Sequence, residues 1–141
     1  MKKSIKLLLL VAIATFQFSC SSDDDNEASL NQKSFTSCDI GDFSPTSTKM
    51  CFNGADFALP NETITFAAEF NARVATFTWT IESGSIEIIN IEESATDSTL
   101  KSIATFKFNS DFNGDAVFKV KAKDSKGSVE LTHVVALDET N

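Results

Sequence analysis

The sequence contains no tyrosine, one tryptophan, one histidine and two prolines. Each scarcity removes a class of chemistry. The single histidine, His133, cannot build a His-based triad, a histidine pair or a His-rich zinc site within one chain. Neither a G-x-S-x-G nucleophile elbow nor a P-loop is present. Carboxylates are plentiful, but glycosidase chemistry needs two of them held about 5 to 9 Å apart across a cleft, and a small domain with short loops has little room for that cleft. The expectation is a chain that is not an enzyme and carries no cofactor. Clustered basic residues are scarce too. Lys119, Lys121, Lys123 and Lys126 form the one cluster in the domain, and they alternate with apolar residues or a carboxylate, which is the pattern of a solvated strand face. A formal net charge of −8 and no counterion-releasing patch disfavour nucleic acid as a partner.

No apolar run approaches the roughly 20 residues that a membrane-spanning helix needs. What is present is shorter. Met1-Lys2-Lys3-Ser4-Ile5-Lys6 is a basic n-region, and Leu7 to Ala14 is a compact apolar stretch that ends at Thr15 and Gln17; together they predict a signal peptide over 1–19. Two cleavage points compete. Ala12-Ile13-Ala14 is an A-x-A site for ordinary secretion. Phe18-Ser19-Cys20 resembles a lipobox, in which the cysteine becomes the lipidated first residue after a small one, although Gln17 stands where the usual pattern has Leu. Cysteine arithmetic favours the second. With Cys20 carrying lipid, Cys38 and Cys51 remain as an even pair in an oxidising compartment, where a disulfide persists. Removing Lys2, Lys3 and Lys6 with the signal lowers the formal charge of −8 by 3, to −11. Acyl chains on Cys20 would each add about 0.8 kcal/mol per buried methylene, so the membrane is the first expected partner.

Residues 20–37 read as a lipidated, acidic, flexible tether. Within it, Cys20-Ser21-Ser22-Asp23-Asp24-Asp25-Asn26-Glu27 resembles the start of outer-membrane lipoproteins of Bacteroidota, where a serine and acidic run after the cysteine acts as a signal for surface display. The resemblance implies an outer-membrane, cell-surface location with Ser21, Ser22, Asp23, Asp24 and Asp25 as the export signal. The plainer reading of the same residues is a solvated acidic spacer.

Cys38 and Cys51 lie within a turn-rich segment, 38–55, and enclose Gly41 and Pro45. A bridge between them would stabilise by about 3 kcal/mol in the chain-entropy model. Their spacing matches neither C-x-x-C nor a zinc ribbon.

From about residue 56 the dominant signal is alternation with a period of two. Ile64, Phe66, Ala68 and Phe70 share one face. Ala75, Phe77, Trp79 and Ile81 do the same, with Thr76, Thr78, Thr80 and Glu82 opposite. Ile86 and Ile88 share a phase that Ile89 and Ile91 break, which predicts a bulge near Ile88. Ala104, Phe106 and Phe108 resume the pattern, Asn113-Gly114 offers hairpin chemistry with positive φ tolerated at both positions, and Ala116, Phe118, Val120 and Ala122 follow. Asp124-Ser125-Lys126-Gly127 predicts a turn before Val129, Leu131, Val135 and Leu137. Six or seven short strands at this spacing predict one all-β domain over 56–138, a β-sandwich of about seven strands. Trp79 belongs in its core, and His133 falls on the apolar face as a structural imidazole.

The runs Phe77-Thr78-Trp79-Thr80-Ile81-Glu82-Ser83-Gly84, Gly114-Asp115-Ala116-Val117-Phe118-Lys119-Val120 and Asp124-Ser125-Lys126-Gly127 resemble the polycystic-kidney-disease-type (PKD-like) immunoglobulin-like domains of bacterial surface proteins. The acidic Trp-Asp-Phe-Gly-Asp-Gly element of typical members is replaced here by Trp79 to Gly84. The resemblance implies an immunoglobulin-like fold and a non-enzymatic module for spacing, adhesion or contact with a partner.

One metal candidate stands out. Asn109, Asp111, Asn113 and Asp115 copy the early spacing of an EF-hand loop, but the twelfth position, where a bidentate glutamate should close the shell, is Val120; a polar turn is the expected structure. Two functions remain in competition. An interaction module would show a flat threonine-rich face and a bare strand edge. A glycan-binding lipoprotein would show an exposed aromatic shelf, for which Phe52, Phe57 and Phe112 are the unassigned aromatics.

Overall fold

The computed structural model describes residues 33–41 and 47–139. Among these the chain is all-β, with eight strands in two four-stranded sheets and no helix: β1 (Met50–Asn53), β2 (Phe57–Ala58), β3 (Thr63–Phe70), β4 (Thr76–Ser83), β5 (Ile86–Ala95), β6 (Leu100–Phe108), β7 (Ala116–Lys123) and β8 (Ser128–Leu137). One sheet has the order β1-β3-β6-β5 and the other β2-β8-β7-β4. All pairings are antiparallel except β2 with β8. The fold is a β-sandwich, as the alternation predicts.

The faces fall where the period of two puts them. Ile64, Phe66, Ala68 and Phe70 of β3, Ala104, Phe106 and Phe108 of β6, and Ala116, Phe118, Val120 and Ala122 of β7 are all buried. Aromatic rings bridge the two sheets: Phe118 stacks on Phe106 at 4.4 Å between centroids and meets Phe66 edge-on at 4.9 Å. Burying one such side chain contributes about 1.5–3 kcal/mol. Trp79 enters this cluster from β4, and its indole N–H donates to Ser102 Oγ at 3.0 Å, which satisfies a hydroxyl that is completely buried. The register slip expected near Ile88 is present: Ile88 opposes Phe106, and Asn90 opposes the next residue, Thr105.

Four features depart from the sequence reading. The 38–55 segment supplies β1, which pairs with β3 along Met50 to Asn53, so the sandwich begins before residue 56. Residues 33–37 also pack on it. Phe35 N–H donates to Thr65 O at 3.0 Å, and Asn53 Nδ2 donates to Ser37 O at 3.2 Å. The Asn113-Gly114 turn is not a hairpin, because β6 and β7 lie in different sheets. Residues 109–115 cross between them, with Phe112 buried against Phe108 at 4.8 Å as the plug that anchors the crossing. Finally, positive φ falls on Gly114 (102°) and Asp115 (59°) and not on Asn113.

The registers define two poles. β3 starts and β8 ends at one pole, here called proximal, together with the 59–62, 84–85 and 109–115 connections. The distal pole carries the 71–75, 96–99 and 124–127 connections. Lys33 lies at the proximal pole, bonded to Glu62 and Asp138. From there the chain climbs beside β3 as an arm, is joined to β1 by the Cys38–Cys51 disulfide, and returns through β1 towards the proximal pole.

Candidate functional site

An open groove of about 770 Å³ lies at the proximal pole. It forms where the β2–β8 pair runs out. Asp138 N–H donates to Ala58 O and Ala136 N–H to Asp56 O, both at 2.9 Å, which closes the short parallel pairing and leaves side chains of its ends around the groove. Lys33, Phe35, Asp56, Phe57, Asp115 and Asp138 are among the lining residues. Phe57 is 54% exposed there.

Lys33 is the best-held charge in this region. Its ammonium lies 2.8 Å from Asp138 Oδ2 and 3.1 Å from Glu62 Oε2. Desolvation pulls its pKa down, and the bonds from Asp138 and Glu62 outweigh that pull, so the ammonium sits above the usual lysine value. Glu62 in turn accepts from Leu59 N–H at 2.7 Å, a local clamp of the 59–62 turn. These contacts dock the arm; they leave Lys33 a structural cation.

His133 is placed as the alternation predicts. Its Nε2 lies 2.8 Å from the Ala55 carbonyl, and a carbonyl can only accept, so Nε2 carries the proton. The ring packs 4.8 Å from Phe52 and 5.4 Å from Phe118. Asp56 Oδ1 is 3.8 Å away and is itself largely exposed. An imidazole committed to a backbone carbonyl and walled by phenyl rings is a core group that closes the gap under β1 and β2.

The candidate calcium residues are split by the crossing. Asn109 is bonded through its backbone to Ser85 and Phe112, and Asp111 Oδ1 accepts from the Ser85 hydroxyl. Asn113 and Asp115 line the groove instead. No group of three or more His, Cys, Asp or Glu among the described residues is arranged to hold a metal ion. Cys38 and Cys51 are bonded to each other. The lipidation residue Cys20 and the acidic run Ser21, Ser22, Asp23, Asp24 and Asp25 lie outside the described residues.

The three unassigned aromatics do not form a shelf. Phe52 is half-buried and packs on Phe66, Phe118 and His133, Phe112 is buried, and Phe57 alone is well exposed. The outer face of the β4–β7–β8 sheet is of a different kind. Thr76, Thr78 and Thr80 are exposed on β4, in register with Lys123, Lys121 and Lys119 of β7. Lys119 bonds Glu82 at 2.7 Å, which raises its pKa, and it shares Glu130 with Lys121. The face is polar, with the exposed Val134 of β8 among its threonines, lysines and glutamates. β4 and β5 are the two long edge strands, each paired on one side alone. Comparison with protein-family models, with curated proteins and with solved structures finds no match.

Proposed function

We propose that this chain is a non-catalytic lipoprotein of the outer membrane, anchored through Cys20, whose immunoglobulin-like sandwich serves at the cell surface as an interaction, adhesion or spacer module. The observation that carries this reading is the pairing of a threonine- and lysine-rich face with the bare edge of β4, in a domain whose described rings, Phe35 and Phe57 apart, pack in or against its core. A bare edge offers unpaired backbone groups to another strand. The strand order β1-β3-β6-β5 and β2-β8-β7-β4 supports the immunoglobulin-like assignment, since it follows the ABED and CFG arrangement of that fold with one short extra strand. Glycan binding is the second reading, and it rests on Phe57 alone.

Protease shaving of intact cells, scored by mass spectrometry, tests the location. The native domain is expected to be cleaved, and a chain with Asp23, Asp24 and Asp25 all changed to Ala to be protected. If the native domain resists on intact cells and is cut after permeabilisation, it faces the periplasm and the surface reading fails.

A further inference from the structure

Charge is distributed unevenly between the two poles. At and near the proximal pole, Asp56, Glu62, Asp115, Asp138 and Glu139 gather, and the cations there are paired, Lys33 with Glu62 and Asp138 and Lys107 with Glu87. Further up the sheet, Lys119 and Lys121 are paired as well. At the distal pole carboxylates are present as well, Asp97 in the 96–99 connection and Asp124 in the 124–127 turn, but Lys49, Arg73, Lys101 and Lys123 make no ion pair with them or with any other described residue. Asp124, the nearest carboxylate in sequence to Lys123, has Oδ1 committed to the backbone N–H groups of Lys126 and Gly127 at 2.8 and 2.9 Å.

Lys49, Arg73 and Lys123 are brought together by the backbone. Asn71 Oδ1 accepts from Lys49 N–H at 2.7 Å, and Asn71 N–H donates to Lys49 O at 3.1 Å, which fastens the 47–49 segment to the start of the 71–75 connection. A Cβ at Gly127 would lie 3.9 Å from Thr48 Oγ1, so the 124–127 turn borders the same segment. Thr76 opposes Lys123. At the apex of the 71–75 connection stands Val74, 85% exposed and beside Arg73.

Unpaired cations are unusual furnishings for a chain of net charge −8. Lys33, Lys107, Lys119 and Lys121 are each held by a carboxylate, whereas the cations without an ion pair among the described residues lie at the distal end, so that pole is poised for an external anion. The described chain enters the fold at Lys33 on the proximal side, so the distal pole is the end opposite the arm's entry. We propose that the distal pole, built from Lys49, Arg73, Val74 and Lys123, is a docking surface for an acidic segment of another protein. The exposed Val74 favours a peptide with an apolar side chain set among carboxylates. A sugar polymer would call for an exposed ring, and among the described residues the 71–75, 96–99 and 124–127 connections supply none. The inference rests on the interaction-module reading and gives it a location and a partner chemistry.

The test uses the full chain in detergent micelles and a labelled twelve-residue peptide of alternating glutamate and leucine, read by fluorescence anisotropy. Alternating glutamine and leucine provides the neutral counterpart, and polygalacturonate the anionic glycan. The native chain is expected to bind the acidic peptide at least tenfold more tightly than the neutral one. Binding should fall at least tenfold in a Lys49→Gln, Arg73→Gln, Lys123→Gln variant and in Val74→Asp. It should stay within twofold in Lys107→Gln, and circular dichroism should show all variants folded. Absence of acidic-peptide binding, or an equal loss in Lys107→Gln, overturns the proposal. Binding of polygalacturonate without the peptide overturns the protein partner in favour of a glycan. Shaving results bear on display at the surface and leave this binding measurement intact, so the two readings fail separately.

Discussion

Changing Trp79 and Ser102 singly and together tests whether the buried hydrogen bond between them organises the core. Ser102 is fully buried on β6, and its hydroxyl receives the indole N–H at 3.0 Å. Trp79→Phe removes that donor and strands the hydroxyl, at a cost of about 1–3 kcal/mol, in addition to the loss from the void under a smaller ring. Ser102→Ala strands the indole N–H instead, again at about 1–3 kcal/mol. The double variant leaves neither group unpaired and retains the void alone. Its cost is therefore expected to fall short of the sum of the singles by at least about 1 kcal/mol, beyond the roughly 0.3–0.5 kcal/mol within which independent sites add. The assay is urea unfolding followed by circular dichroism, because Trp79 is the sole tryptophan and its replacement abolishes that fluorescence. Midpoints should move at constant m-value. Additive costs would refute the argument, and would mean that water or a rearranged rotamer satisfies each group once its partner is gone.

Three further outcomes follow from the geometry. Replacing Cys38 and Cys51 with Ser should cost about 3 kcal/mol for a loop of this size, measured by thermal unfolding against the oxidised chain, with loss of hydrogen-exchange protection at Phe35 N–H. Gly54→Ala should destabilise by more than about 1 kcal/mol, since its Cβ would fall 2.1 Å from Phe66 Cδ1 and 3.1 Å from Phe52 Cζ; a denaturation midpoint unchanged from native would contradict it. Against the pull of desolvation, the bonds to Asp138 and Glu62 hold the folded-state pKa of Lys33 above the ordinary lysine value, so its contribution is fully present below that ordinary value and is lost as pH rises through the higher folded value. The stability difference between native and Lys33→Met chains should thus be flat across neutral pH and shrink only in strong alkali; a difference that changes near neutrality would show that another group governs the arm.

Alternation made the long strands legible because each buries one face against the opposite sheet and leaves the other in water. The pattern of β3, β6 and β7 could be read residue by residue, and the phase break at Ile88 correctly located a bulge. β1 and β2 escaped that reading for a physical reason. They have four and two residues, too few for a period to repeat, and all of β1 is half-buried, so it has no wet face to contrast with a dry one. The crossing at 109–115 was misread as a hairpin because both structures need residues tolerant of positive φ. What distinguishes them is Phe112, an apolar side chain in the middle of a polar turn, which has to be buried and draws the chain over the end of the sandwich. The distal cations were partly hidden in the sequence. Lys123 belongs to an alternating run whose lower members are paired, and Lys49 and Arg73 join it only through the Asn71 clasp.

The arm and its disulfide have a mechanical consequence. A pull on the domain, taken up at Lys33 and resisted at the opposite pole, would act along the axis of β3 and load the contacts of residues 33–37 first. The arm already runs along that axis, so parting these contacts gains little length, and at Cys38 a covalent bond passes the load to Cys51 inside β1. From that point the force shears the β1–β3 ladder lengthwise, while residues 39–50 are bypassed and carry no tension. The domain is thus built with a hard stop close behind its first contacts.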